Sequence, residues 1–373
     1  MNKTQSRSVL NRRELFKLLG IAGIATLGGY ALFETAPWLN YDLQAIKIRQ
    51  PLEQDAATSA PLRELVRYAT LAASGHNTQP WSFAITENVI DIHPDFTRRL
   101  PAVDPDNREL WISLGCALEN LLVAARAVGY APVVTYPDAA DFIRVALTKT
   151  TPQGGALFDA ISVRQNTRSE YDGQIIKIAD LEQTLSLEPG IVRHFVTSPA
   201  DLERVLEYVN QGNLSQYANT AFVDELIHWI RFNKKEALAS LDGLYTRSSG
   251  NPEVPRWIGQ LFVSGTKPQQ QADADAQKLR SSSGAVIIAS ESDDKTAWVR
   301  TGQVYERMAL TMTALNIKSA FLNQPIEVAD VRGQLQGALG LGEAKPQLLV
   351  RFGYADAMPP SLRRPVDQLL VNV

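Results

Sequence analysis

The chain has 373 residues, 45% hydrophobic and 21% charged, with a net charge of −3. That composition fits one large globular domain or two medium ones and excludes intrinsic disorder. The single cysteine, Cys116, excludes internal disulfides and cysteine-based zinc clusters, and four scattered histidines show no metal-ligand spacing, so no metal site is expected.

In chain order, residues 1–36 read as a targeting segment. The first 17 residues hold Lys3, Arg7, Arg12, Arg13 and Lys17 against Glu14 alone. Taking away these five basic groups and one acidic group leaves 32 against 39, a net of −7. A body of that charge argues against a nucleic-acid partner. The apolar run Leu18–Phe33 has 16 residues, short for a spanning helix and right for a signal segment. Asn11-Arg12-Arg13-Glu14-Leu15-Phe16-Lys17 resembles the twin-arginine export motif. The resemblance implies recognition by the twin-arginine translocation machinery and a periplasmic location. Gly29-Tyr30-Ala31 and Glu34-Thr35-Ala36 are poor cleavage sites, so residues 18–33 are also expected as a membrane anchor.

Leu62, Leu65, Val66 and Ala69 recur at helical spacing. Ser74-Gly75 is expected to end that helix, glycine supplying a left-handed C-cap. The polar burst His76-Asn77-Thr78-Gln79 follows, Pro80 forbids a return to helix, and Trp81–Ile85 alternates as a strand. An internal repeat runs through the rest. Ala45–Gln50 reappears as Ala160–Gln165, and Asp106-x-Arg108-x2-Trp111-x3-Gly115-x3-Glu119 matches Asp293-x-Lys295-x2-Trp298-x3-Gly302-x3-Glu306 at an offset of 187. Both copies of the longer match read as helices. Each leads into strand-like runs, 132–136 and 142–147 in the first half, 318–322 and 347–352 in the second. The predicted organisation is a first repeat at 44–150 and a second at 151–373. Within the second, 208–277 has no counterpart and is expected to act as a lid.

The stretch Ser74-x-x-Asn77-x-Gln79-Pro80-Trp81 resembles the Ser-x-x-Asn-x-Gln-Pro-Trp element of nitroreductase-fold flavoenzymes, and more narrowly of the Acg-family FMN-binding oxidoreductases. The resemblance implies an α+β nitroreductase fold, duplicated here into a single-chain pseudo-dimer, with Ser74, Asn77 and Gln79 hydrogen-bonding a flavin ring. Amides suit such a ring, whose edge alternates donors and acceptors. Arg164-Gln165-Asn166-x-Arg168 resembles the family's Arg-Arg-Ser-x-Arg element, which implies a grip on the FMN phosphate and ribityl chain. Arg363-Arg364-Pro365 resembles its closing basic motif, which implies a phosphate contact from Arg363. Asn323 and Gln324 fall where family members place donors near flavin N5.

The first half keeps the amide loop and the second keeps the arginines, so one composite site and one FMN per chain are expected. Replacing Arg164 or Arg363 is expected to weaken FMN binding and leave the fold intact. The function so implied is flavin-mediated electron transfer to a small acceptor such as a nitroaromatic or quinone. The alternative is a protein that sequesters FMN without turnover. No side chain is required as a proton donor, so none is named catalytic.

Overall fold

The structure is a computed structural model that describes residues 40–51, 61–136, 141–182 and 188–371. The targeting segment and its motif lie outside the described residues. Helices α1 (Tyr41–Ile48) and α2 (Pro61–Thr70) come first. They are followed by β1 (Trp81–Thr86), β2 (Val89–Pro94), the long α3 (Arg108–Ala127), β3 (Tyr130–Thr135) and β4 (Ile143–Lys149). These four strands form an antiparallel sheet of order β1-β2-β4-β3. The exposed segment 150–155 then leads to α4 (Ala156–Ile161), α5 (Ile178–Glu182) and β5 (Ile191–Val196).

A longer excursion holds α6 (Pro199–Ala218), α7 (Thr220–Trp229), β6 (Ile230–Arg231), α8 (Lys234–Ser240), β7 (Leu244–Tyr245), α9 (Arg256–Ser264) and α10 (Pro268–Arg280). The chain closes with β8 (Gly284–Ser290), α11 (Lys295–Ala314), β9 (Lys318–Phe321), α12 (Gln324–Glu327), α13 (Ala329–Ala338) and β10 (Lys345–Gly353). Its sheet is also antiparallel, of order β5-β8-β10-β9. Both sheets therefore follow one plan, and the fold is α+β, as expected from the sequence.

The two long helices each span 20 residues and start 187 positions apart, at Arg108 and Lys295. They cross at two glycines. A Cβ on Gly115 would fall 2.0 Å from the Val299 carbonyl oxygen, and one on Gly302 would fall 2.0 Å from that of Ile112. Ile112 and Val299 are again 187 apart, so the crossing looks the same from either helix. The Trp-x3-Gly-x3-Glu match is thus the line along which the helices meet, and Cys116 Sγ lies 3.4 Å from the Gly302 oxygen there. One core joins this helix pair to both sheets and includes Trp81, Phe83, Leu114, Leu118, Tyr305, Met308 and Phe352.

The sheets differ on their outer faces. In β4 buried and exposed residues alternate, as in a sheet with one solvated side. In β8 every residue is buried. Val286 and Ile288 face the main core, while Ala285 and Ile287 face a second one completed by Val205, Leu206 and Val209 of α6 and Leu279 of α10. Whereas β1 runs directly into β2, a long excursion separates β5 from β8. Its two ends cover the second sheet. Its middle reaches the first half, where Trp229 and Phe222 pack on Leu100 and Val103.

Candidate functional site

Helix α2 stops at Thr70, four residues before Ser74, and not at a glycine C-cap. Two distant arginines take its last carbonyls. Arg363 donates to the oxygens of Thr70, Leu71 and Ala72, and Arg164 Nη2 donates to Leu71 O at 3.0 Å. Cations suit a helix C-terminus, whose carbonyls carry partial negative charge. The left-handed backbone falls later, at His76 (φ 45°), Asn77 (φ 53°) and Gln79 (φ 53°), in a polar loop pinned by Gly75 N donating to Ser113 Oγ.

This loop walls a cavity that holds about 510 Å³ of empty space, counting the part open to solvent. Ser74 and Asn77 line it from the first half, and Arg164, Gln165, Asn166 and Arg168 from the turn after α4. Ser361 and Arg363 line it from the C-terminal tail, and Gly243, Leu244, Tyr245 and Ser248 from the excursion. Seven of the ten residues expected at the site are brought together here. Gln79, Asn323 and Gln324 are not among the lining residues. Gln79 donates from Nε2 to Leu241 O at 2.9 Å and accepts at Oε1 from Arg364 N at 2.8 Å, so both ends of its amide hold protein segments. Asn323 bridges Glu109 and the Leu349 amide, and Gln324 donates to Asp275.

The cavity is cationic. Arg164 is buried, its Nε 2.8 Å from Glu306 Oε1. Burial alone would lower the Arg164 pKa, but the Glu306 carboxylate together with Tyr305 and Cys116 raises it. Burial pushes the Glu306 carboxyl up, against the pull of Arg164 and of the Ala73 N–H. Arg164 Nη1 has no hydrogen-bond partner among the described residues. Arg168 makes no hydrogen bond or ion pair among the described residues. Burial pulls its pKa down, as does Arg351, yet a guanidinium stays protonated at neutral pH. Burial, with Arg168, lowers the nearby His76 imidazole to about 4, so it is neutral at physiological pH, and its Nδ1 is unpartnered. Asn77 donates from Nδ2 to Gly243 O and Leu362 O, while its Oδ1 is buried without a partner.

Unsatisfied donors and uncompensated positive charge in one pocket are costly unless an anion with several acceptor oxygens completes them. Arg168 isolates that role, since it has no hydrogen bond or ion pair to lose among the described residues. Arg168→Ala is expected to weaken anion binding about ten- to a hundredfold, the value of a hydrogen bond to a charged group. Its unfolding midpoint should match that of the parent. Equal affinity by titration calorimetry would remove Arg168 from the site.

Sequence reasoning did not assign Tyr245, Ser248 or the buried counter-ion Glu306 to this site. Glu306 stood in the repeat, but its partner lies 142 positions away. Tyr245 and Ser248 lie in the excursion, where neither motif nor repeat gives a signal.

No family model matches the chain. Curated relatives do. A protein of Mycobacterium tuberculosis named "Putative NAD(P)H nitroreductase" is 28% identical over 325 residues, spanning 83% of this chain and 90% of the relative. A second, "Putative NAD(P)H nitroreductase acg" of the same species, is 24% identical over 329 residues, spanning 84% of this chain and 96% of its own length. The chain is similar to nitroreductases over most of its length. Among solved structures, the FMN-dependent nitroreductase NfnB of Mycobacterium smegmatis, in complex with NADPH, is 13% identical with a TM-score of 0.35. It covers 54% of this chain and 88% of its own. A nitroreductase of Bacteroides fragilis with bound FMN is 18% identical with a TM-score of 0.33, covering 54% and 90%.

Proposed function

We propose that this chain is an FMN-dependent oxidoreductase of the nitroreductase type, exported to the periplasm and built from two fused repeats. The observation that carries this reading is the composite cavity, lined by Arg164 and Arg168 from one half and by Ser74 and Asn77 from the other, with no hydrogen bond or ion pair on Arg168 among the described residues. Those donors fit a phosphate monoester, and Asn77 Oδ1 offers an acceptor to a heterocycle edge. Arg164, Arg168 and Arg363 would hold the phosphate, Gln165 and Asn166 the polyol chain, and Ser74 and Asn77 the ring. Bound there, FMN would supply electron transfer to a small nitroaromatic or quinone acceptor. The protein's part is to position the cofactor and balance its charge. The equal strand orders and the matched crossing of α3 and α11 support descent from a duplicated unit.

The purified protein is expected to be yellow, with one FMN per chain. Acid extraction and absorbance give the ratio. Two per chain would break the composite-site reading, and none after incubation with excess FMN would break the cofactor assignment.

The rival reading, sequestration without turnover, draws on the closed state of the excursion. Arg98 donates to Asp242, which also takes Arg231 Nη2 at 2.6 Å, so 241–243 is held down on the amide loop. Slow reoxidation of photoreduced flavin by added quinone would favour it. The electron donor follows from location. NAD(P)H is confined to the cytoplasm, so flavin reduction by it is expected to be slow or absent, and reduction by a quinol analogue faster. Anaerobic stopped-flow bleaching checks this. Rates near turnover, on the order of 1–1000 per second with millimolar NADPH, would overturn the donor reading and reopen the export reading. Cell fractionation tests the export reading directly.

A further inference from the structure

Helix α9 (Arg256–Ser264) presents Trp257 and Leu261, four residues apart on one face, 65% and 67% exposed. Its opposite side is held down. A Cβ on Gly259 would fall 2.0 Å from Phe232 Cδ1, so the helix sits hard against the fold and cannot roll to bury the two side chains. Three acidic groups of the same excursion are engaged. Glu236 pairs with Arg256, Asp242 with Arg98 and Arg231, and Glu253 accepts from Lys234 N. The cations Arg247 and Lys267, which precede and follow α9 in the sequence, are exposed.

The structure points to a phospholipid surface as the occupant of this face, and we propose that α9 lies in the headgroup region of an anionic bilayer. The proposal rests on the export reading above. Two exposed side chains offer on the order of 300 Å² even with an aromatic contribution of 150–250 Å², well short of the ~800 Å² per partner of a stable protein interface. A lipid surface needs less. Tryptophan favours the headgroup level, and an amphipathic helix flanked by cations binds anionic lipid in the interface plane. A single weak anchor gives marginal attachment and a second makes it stable. The sequence holds the first candidate, the apolar run 18–33, and only seven residues separate Phe33 from Tyr41, a reach of about 25 Å when extended. Arg49, just past α1, donates to Ser361 O, and Ser248, just before α9, donates to Pro359 O. The end of α1 and the approach to α9 thus share one strip of the C-terminal tail.

The test uses the full chain with vesicles of phosphatidylethanolamine and phosphatidylglycerol whose acyl chains are brominated near the headgroup. Tryptophan quenching is compared between the parent, Trp257→Phe and Leu261→Glu. Trp257→Phe is expected to lower the quenchable signal about twofold, and Leu261→Glu to lower it with Trp257 still present. Vesicle flotation of all three should persist through 18–33, which separates the patch from the anchor. Equal quenching of parent and Trp257→Phe while both float would overturn the proposal and spare the export reading. Failure of the parent to float would overturn both. A lipid-free dimer in sedimentation velocity that Leu261→Glu dissociates would replace the bilayer with a second copy of the chain.

Discussion

Gly115→Ala is expected to destabilise the protein by about 3 kcal/mol or more, beyond the 1–3 kcal/mol of ordinary overpacking. Helix propensity alone predicts the opposite, since alanine is better than glycine inside a helix by about 1 kcal/mol. The added methyl decides the sign, because it would lie 2.0 Å from the Val299 carbonyl oxygen, a main-chain atom that no rotamer change can move. The long helices must part, and they form the centre of the core shared by both sheets. Gly302→Ala should behave alike, against Ile112 O. Gly333 in α13 is the control, because a Cβ there meets nothing within 4 Å. Gly333→Ala should stabilise by about 0.4–1 kcal/mol. Urea unfolding midpoints compare all three, and a Gly115→Ala midpoint at or above the parent's would show that the helices do not cross here.

The second large effect concerns Arg164. Its side chain is 3% exposed and that of Glu306 is 0%. Arg164→Ala would strand a carboxylate in the core, and breaking a buried pair costs about 3–5 kcal/mol. The expectation that this substitution spares the fold is therefore corrected, because Arg164 also holds the end of α2. Arg363 shares that second duty through Thr70, Leu71 and Ala72. The pH dependence has a definite sign. Burial already raises the Glu306 pKa, and losing Arg164 raises it further above the unfolded value. The folded variant then binds a proton that the unfolded chain has released, so its stability falls as pH rises through that window. The deficit should be largest at neutral pH and shrink toward acid. Arg164→Met combined with Glu306→Met should recover most of the loss, since a matched apolar pair leaves no charge unpaired. Thermal unfolding from pH 4 to pH 8 reads this, and a pH-independent deficit would mean that Glu306 is not the stranded group.

What the sequence revealed follows the reach of its signals. The offset of 187 was legible because helix packing fixes residue type and spacing together, and a close crossing admits only glycine. The cavity was legible through motifs, as Ser74, Asn77 and the Arg164–Arg168 turn show. Local pattern failed where a side chain's partner is remote. The end of α2 was placed at Ser74-Gly75, since nothing nearby announces arginines 93 and 292 positions beyond Leu71. Gln79 looked like a ring ligand for the same reason. Its amide answers Leu241 and Arg364, whose approach only the folded chain reveals. Strand β8, buried on both faces, lacks the alternation that marks a half-buried strand, and α6 and α10 that hide its second face lie in a segment without a repeat.

The connection between the halves is slight. Residues 150–155 are all exposed, whereas the two glycine-lined helices recognise each other through main-chain atoms. The covalent link therefore adds effective concentration more than shape. A chain opened at Gly154-Gly155, where an added Cβ would meet nothing within 4 Å, would keep every contact of the crossing, and its two pieces would assemble as a heterodimer whose affinity reports the strength of that contact.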